Sequence, residues 1–562
     1  MNDNYNLAEN LFKQGLELIS KNKFLDAKKI LYKAHKILPE RASIINNLIV
    51  INNKIKNFKE SLDLAYKLKT IEPKNFESKI ILSDSLIKNN FLIKARLMLK
   101  KIIKNEFKIL SKENKIKIYR TLSSLYGKLC IPKKTVFYQL KAFLLSKNFD
   151  DLSSVIFNSQ YVEEINKSKL YLLSNYNLKD TYSTFKKNTK ISIGFISGDF
   201  HHHPVGFFLY SFLKEIKKKF SIILYYNSFE KDYLTEQLIF ECCDGFNFIN
   251  NLNDDELIEK IKKDRVDVLI DLSGHTGGNR LKVFFNRICK IQMTWMGFLA
   301  STGIKNIDYI VTDPHVYSNT EFFSEKAFMM PKIWCTLSKP IHKGLLIENI
   351  TPAEKNGFFT FGSFNNLRKI NSNVIKLWSS VLRHNKKSKL YLKNPDLDNK
   401  LVKTLLLNEF KKNNITSEQI IVEKSSDRET LLNSYNKIDI VLDTFPYSGG
   451  TTNFEASYMG VPILTKIGNS FLSNCGVSIN KNLKMDGFIA NNDENYIKIA
   501  LELSTNLKHL KEIRKNHHQD VIISSLFDYK DFAYHFQKKI YQMKFLFFHF
   551  QMLFFFQIQF YL

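Results

Sequence analysis

The chain has 562 residues, 44% hydrophobic and 25% charged, with a formal net charge of +28 at pH 7. That length exceeds what one core supports, so several domains are expected, and the apolar content excludes a largely disordered chain. The excess charge is mostly Lys spread along the whole sequence, with no compact Arg-rich stripe interleaved with aromatics. This speaks against a nucleic-acid surface, and no nucleic-acid partner is expected.

The first third reads as a repeat. From 9 to 39 the sequence ENLFKQGLELISKNKFLDAKKILYKAHKILP places small and bulky residues where a 34-residue helix-turn-helix unit needs them. Gly15 falls at the close helix crossing, Ala27 and Ala34 are the small positions of the second helix, and Pro39 closes the unit. One period on, Phe24 maps to Phe58, Ala27 to Ser61 and then Ala95, and Pro39 to Pro73. A weaker unit follows around Leu125-Tyr126-Gly127 and Ala142. The segment resembles the tetratricopeptide repeat family. Such helix pairs bury their apolar faces only by stacking, which predicts an α-solenoid with a groove suited to extended peptides.

Near Lys190 the pattern changes to short apolar runs that end in polar loops. ISIGFIS (191–197), SIILYYN (221–227), DVLIDLSG (267–274), IQMTWMG (291–297) and DYIVTDP (308–314) predict strands of one α/β lobe. After a linker at 343–356 the pattern restarts with FFTFGSF (358–364), KLYLKN (389–394), QIIVEK (419–424), DIVLDTF (439–445) and VPILTK (461–466). Alternating βα units predict parallel, doubly wound sheets, so two Rossmann-like lobes would face each other across a cleft. The expected division is a repeat domain at 1–150, a helical linker at 151–188, a first α/β lobe at 189–345 and a second at 346–544. The remainder, 545–562, is a Phe-rich tail.

Four loops carry candidate chemistry. In DTFPYSGGTTNFEASYMGV (443–461) a strand ends at Asp443, and Gly449-Gly450-Thr451-Thr452 opens a helix. Free amides and hydroxyls at a helix N-terminus suit a diphosphate, and Glu455, one turn in, is placed to accept from ribose hydroxyls. In FGSFNNLRKI (361–370), Lys369 can reach the same phosphates and neutralise the charge that builds on a departing nucleotide diphosphate. In GDFHHHPVG (198–206), adjacent histidines do not converge easily on one ion and no acidic or Cys cluster accompanies them, so no metal site is expected. His203, before Pro204, is a candidate contact to acceptor or donor, or a general base. In DLSGHTGGNR (271–280), His275 and Thr276 read as cleft-facing substrate contacts beside Arg280.

Taken together and in order, ISGDFHHHP, DLSGHTGGNR, IQMTWMGFLASTG, DYIVTDP, FGSFNNLRKI and DTFPYSGGTTNFEASYMGVP resemble the O-linked N-acetylglucosamine transferase family, in its SPINDLY-like branch, over about residues 5–540. The resemblance implies a GT-B fold and inverting, metal-independent transfer to Ser or Thr hydroxyls of proteins, with acceptor proteins engaged through the repeats. Carried over by motif, Lys369 contacts the donor diphosphate with Asn366 beside it. Gly450, Thr451 and Thr452 hold phosphate, Glu455 holds the ribose, and His203 is the active-site histidine of the first lobe. The donor implied is UDP-N-acetylglucosamine, a substrate rather than a cofactor. Animal-type enzymes carry His-Thr-Thr-Gly with an Asp on the helix. Here Gly450 precedes the Thr pair, the carboxylate is Glu455, and Leu431 stands where many relatives place a His near the base. The SPINDLY branch includes enzymes using GDP-fucose, so protein O-fucosylation is the alternative, with a non-catalytic repeat scaffold as a third reading.

Compartment and ends complete the expectations. Cys130, Cys242, Cys243, Cys289, Cys335 and Cys475 show neither C-x-x-C nor metal-ligand spacing, which fits a reducing, cytoplasmic setting. The opening MNDNYNLAENLF lacks a basic stretch followed by an apolar run, so no secretory signal is expected. FLFFHFQMLFFFQIQFYL (545–562) is about as long as a membrane span. Its His and Gln residues argue against one, and it is read as sequence past the natural end of the fold near Lys544.

Overall fold

The computed structural model describes residues 2–174, 190–318, 321–340, 344–348 and 350–543. The Phe-rich tail and positions 175–188 of the expected linker lie outside the described residues. Among the described residues no helix is long and apolar enough to cross a membrane.

The arm consists of α1 (Asn2–Ser20), α2 (Phe24–Ile37), α3 (Ala42–Lys54), α4 (Phe58–Ile71), α5 (Phe76–Lys88), α6 (Leu92–Asn105), α7 (Lys112–Lys128), α8 (Pro132–Ser146), α9 (Phe149–Ser159) and α10 (Lys167–Leu173). The small positions at the repeat period, Ala27, Ala34, Ser61 and Ala95, are fully buried. They let paired helices approach closely. A Cβ on Gly15 would stand 2.5 Å from the Leu31 side chain. Gly15→Val is therefore expected to cost about 1–3 kcal/mol by overpacking, read as a lower denaturation midpoint.

The first lobe is built on β1 (Ser192–Ser197), β2 (Ser221–Tyr226), β3 (Gly245–Phe248), β4 (Val268–Asp271), β5 (Ile291–Thr294), β6 (Tyr309–Thr312) and β7 (Lys326–Met329), ordered 3-2-1-4-5-6-7 and parallel throughout. The second has β8 (Thr360–Ser363), β9 (Lys389–Lys393), β10 (Ile420–Glu423), β11 (Ile440–Leu442), β12 (Ile463–Lys466) and β13 (Ile489–Ala490), ordered 10-9-8-11-12-13 and likewise parallel. In both sheets strand order reverses beside the first strand of the lobe, and ligands bind at such a switch point beyond the carboxyl ends. β3, β7 and β13 were not predicted from sequence. All three are short edge strands, paired on one side only, and too brief to show a period.

The lobes share packing. Phe454 of the helix Thr451–Tyr458 meets Phe208 at 5.1 Å and Trp334 at 5.8 Å between ring centroids. Ser478 Oγ donates to Asp313 at 2.8 Å, and the Phe471 amide donates to Glu321 at 2.6 Å. The last described helix, 529–543, returns to the first lobe, where Phe536 meets Phe212 at 5.2 Å and Phe532 stacks on Trp295 at 5.7 Å. The expected second lobe at 346–544 thus ends in a helix that packs on its partner.

Candidate functional site

Each lobe presents a loop fixed by a buried aspartate at the end of a central strand. In the second lobe Asp443 follows β11. It accepts from Ser448 Oγ at 2.5 Å, the Gly449 amide at 2.7 Å and Thr465 Oγ1 at 2.8 Å. Burial raises its pKa against these bonds, which favour the carboxylate. The loop is thereby folded so that Gly450 stands as N-cap of the helix Thr451–Tyr458, at φ −99° and ψ −96°. Nothing lies within 4 Å of a Cβ built on Gly450. The first amides of that helix have no intrahelical acceptor, as in any α-helix, and face this open space.

Lys369 lies across that space, on the short turn after β8. Its Nζ donates to Ser448 O at 2.8 Å, lies 3.4 Å from Asn365 Oδ1, and sits 4.2 Å from the centre of the Tyr447 ring. Burial of the ammonium pushes its pKa down to about 8, with Asp443 opposing. Thr452 Oγ1 donates to the same Asn365 Oδ1 at 3.0 Å, and Thr452 O accepts from Tyr435 OH at 3.0 Å. Lys369, Thr452 and the glycine turn lie together, and the asparagine that joins Lys369 to Thr452 is Asn365. Asn366 is exposed, and its Oδ1 caps the turn by accepting from the Arg368 amide at 3.0 Å. Consecutive residues point to opposite sides, and sequence alone could not choose between two adjacent asparagines.

Glu455 is 2% exposed and paired with Arg428 at 2.6 Å. Burial lifts its pKa above the ordinary carboxylate range and Arg428 opposes the rise. Arg428 lies 4.7 Å from the ring centre of Phe207 in the first lobe. Arg428 was not predicted. Its signal was only a basic residue after a strand, shared with dozens of others.

In the first lobe, His203 caps the helix Pro204–Ile216: its Nδ1 accepts from the Val205 amide at 3.4 Å and lies 3.8 Å from Asp199. Burial pushes His203 down to about 4, with Glu230 opposing, so the ring is neutral near pH 7. Its Nδ1 is engaged as an acceptor, which leaves Nε2 to carry the proton. His201 is held differently, by Tyr226 OH at 2.9 Å and Glu230 at 3.0 Å. Among the described residues no group of three or more His, Cys, Asp or Glu side chains could hold a metal ion.

The loop after β4 departs from expectation. Asp271 accepts from the amides of Ser273 and Gly274 at 3.2 and 2.7 Å and from Thr294 at 3.0 Å, and burial pushes it up to about 6. His275 is 3% exposed, its two ring nitrogens bonded to Ser153 Oγ of α9 at 2.9 Å and to Thr302 O at 2.8 Å. It joins the arm to the lobe instead of facing the cleft as a substrate contact, because α9 covers the loop. Thr276 closes its own turn, donating from Oγ1 to Ser273 O at 2.7 Å. His275→Ala is expected to cost about 1–3 kcal/mol by leaving buried partners unsatisfied, measured as a shift in unfolding midpoint with donor affinity unchanged.

Two parallel sheets facing a cleft, with a glycine-opened helix N-terminus beside a half-buried lysine, define a two-lobed glycosyltransferase of GT-B type behind a helical-repeat arm. The sequence profile of Glycosyl transferase family 41 matches residues 136–343 and 353–536, and the chain belongs to that family. It is 30% identical over 351 residues to a probable UDP-N-acetylglucosamine–peptide N-acetylglucosaminyltransferase SPINDLY from Hordeum vulgare, covering 61% of this chain and 37% of that one. The corresponding Arabidopsis thaliana protein is 28% identical over 331 residues, covering 58% and 36%. The matches thus span little more than a third of these relatives. An O-GlcNAc transferase mutant from Thermobaculum terrenum shares the fold, with a TM-score of 0.74, 22% identity, and coverage of 96% of this chain and 98% of that one.

Proposed function

We propose that the protein transfers N-acetylglucosamine from UDP-N-acetylglucosamine to Ser or Thr hydroxyls of proteins, with inversion and without a metal. The observation that carries this reading is Lys369 Nζ held on Ser448 O, in the turn that opens the helix Thr451–Tyr458. An ammonium and a helix N-terminus facing one space are complementary to a diphosphate leaving group. Thr451 and Thr452 would hold the phosphates, Asn365 would align Lys369 and Thr452, and Glu455 would meet the ribose once Arg428 shifts. His203, neutral with its Nδ1 occupied, would contact the acceptor or donor through Nε2. The acceptor protein is held along the arm. The resemblance of FNNLRK (364–369) to the SPINDLY branch, which includes enzymes using GDP-fucose, keeps GDP-fucose as the second donor.

Calorimetric titration with UDP and, separately, GDP tests the donor. Tighter binding of UDP is expected. Tighter binding of GDP moves the assignment to fucose with the same phosphate residues, and binding of neither overturns the reading. A pH profile tests Lys369. Its pKa is depressed to about 8, so the charged form is lost as pH rises through that value. kcat/KM is expected to fall above about pH 8, since this parameter reports the free enzyme. Lys369→Arg should carry that limb beyond the measurable range while lowering the plateau.

A further inference from the structure

A cavity of about 240 Å³ lies where the arm meets the second lobe, behind the turn that carries Lys369. Its walls are buried apolar side chains from four segments: Leu129 after α7, Val162 after α9, Leu367 and Ile370 on either side of Lys369, and Val402 and Leu406 of the helix Lys400–Lys412. Leu367 and Ile370 face this space, while the Lys369 ammonium is held on Ser448 O. Water finds few hydrogen-bond partners against such walls, whereas an apolar molecule of ring size gains burial there.

The solvent edge of the cavity is acidic. Among the described lining residues, exposed Glu163 and Glu164 and half-buried Glu409 stand against one lysine, Lys133, in a chain whose formal net charge is +28. Glu164 pairs with Lys133, and Glu409 with Lys412 at 2.6 Å. Glu163 accepts from Asn373 Nδ2, a neutral amide, at 2.8 Å, and a carboxylate has acceptor capacity beyond one such bond. Two contacts tie the cavity to the proposed nucleotide site. Tyr161, on its wall, stacks on Tyr447 at 5.0 Å, and the Tyr447 ring centre lies 4.2 Å from Lys369 Nζ. Asn371, also on the wall, donates from Nδ2 to Phe445 O at 2.7 Å, in the loop that leads to Gly449 and Gly450.

We infer that this cavity is an effector site for a small molecule with a ring-sized apolar body and a primary amine, and that its occupation tightens nucleotide binding. The apolar body fills the space between Leu367, Ile370 and Leu406, and the ammonium stands among the three carboxylates at the edge. A filled cavity holds Tyr161 and Asn371 in place, and with them Tyr447 and the glycine loop. Amine and nucleotide then favour one arrangement of the Lys369 turn, so each tightens the other by the same factor. The effector role rests on the proposed nucleotide site; the cavity itself does not.

Calorimetric titration of the full chain with phenethylamine tests this, beside phenethyl alcohol and phenylacetate as its neutral and anionic counterparts. One phenethylamine per chain is expected, bound severalfold tighter than the alcohol, with phenylacetate weakest. Glu163→Gln with Glu409→Gln should weaken phenethylamine severalfold and leave the alcohol unchanged. Leu406→Trp puts an indole into the cavity and should abolish binding of both. Leu405→Trp fills the same wall from a half-buried position and should act alike with less strain on the core. A cooperative unfolding transition verifies the fold of each variant. Saturating phenethylamine should tighten UDP severalfold. Absence of phenethylamine binding overturns the site, as does binding that both folded tryptophan variants retain. Equal affinity for amine and alcohol, or UDP affinity indifferent to saturating phenethylamine, overturns the effector. Amine binding is read without nucleotide, so its failure would leave the proposed transfer standing.

Discussion

Lys369→Ala is expected to lower kcat/KM by about two to three orders of magnitude, the loss typical when one preorganised stabiliser of developing charge is removed. The reason lies in what the ammonium is placed against. It is held on Ser448 O beside the turn that opens the helix Thr451–Tyr458, where a leaving diphosphate would gain charge. Burial, which pushes its pKa down to about 8, also excludes the water that would otherwise screen that charge. Most of the loss should fall on kcat, because the charge on the nucleotide grows on the way to the transition state. Folding should be little affected, since the lysine donates only to Ser448 O and, at 3.4 Å, to Asn365 Oδ1, which keeps its bond from Thr452. Unchanged turnover in a steady-state assay with either nucleotide sugar would remove Lys369 from the chemistry.

Arg428→Ala should be the most destabilising single change at the site. It leaves Glu455, 2% exposed, without its cation, and breaking a buried pair costs about 3–5 kcal/mol. Glu455 already lies above the usual carboxylate range through burial, held down only by Arg428. Without the guanidinium its pKa rises further, which favours the protonated form. Two readouts follow: a lower denaturation midpoint, and weaker nucleotide binding that improves as pH rises and the carboxylate re-forms. Glu455→Gln in the same background should recover part of the stability, because a neutral amide needs no counter-ion. If the double variant is as unstable as Arg428→Ala alone, the cost comes from lost packing on Phe207 and not from the stranded charge.

His203 and His275 differ in what fixes them. Both follow a strand, both lie in polar loops, and both were expected at the cleft. His203 is fixed locally, as cap of the helix that begins at Pro204. His275 is fixed by α9, more than a hundred residues earlier, and no pattern around it announces that cover. Asn365 and Arg428 escaped for a related reason: their partners, Thr452 and Glu455, are distant in sequence and met only through the sheet.

The sequence by itself determined the repeat period, the two sets of parallel strands and the glycine and lysine loops, because helical and strand periodicity, small-residue spacing and turn chemistry are local properties of the chain. Only the tertiary structure decided which asparagine joins Lys369 to Thr452, that Glu455 is buried against an arginine, that the last helix packs on the first lobe, and that turns of the arm touch both lobes. Each of these depends on contacts between segments far apart in the chain, and it is burial at those contacts, not residue type, that sets the charge state and reach of the side chains involved.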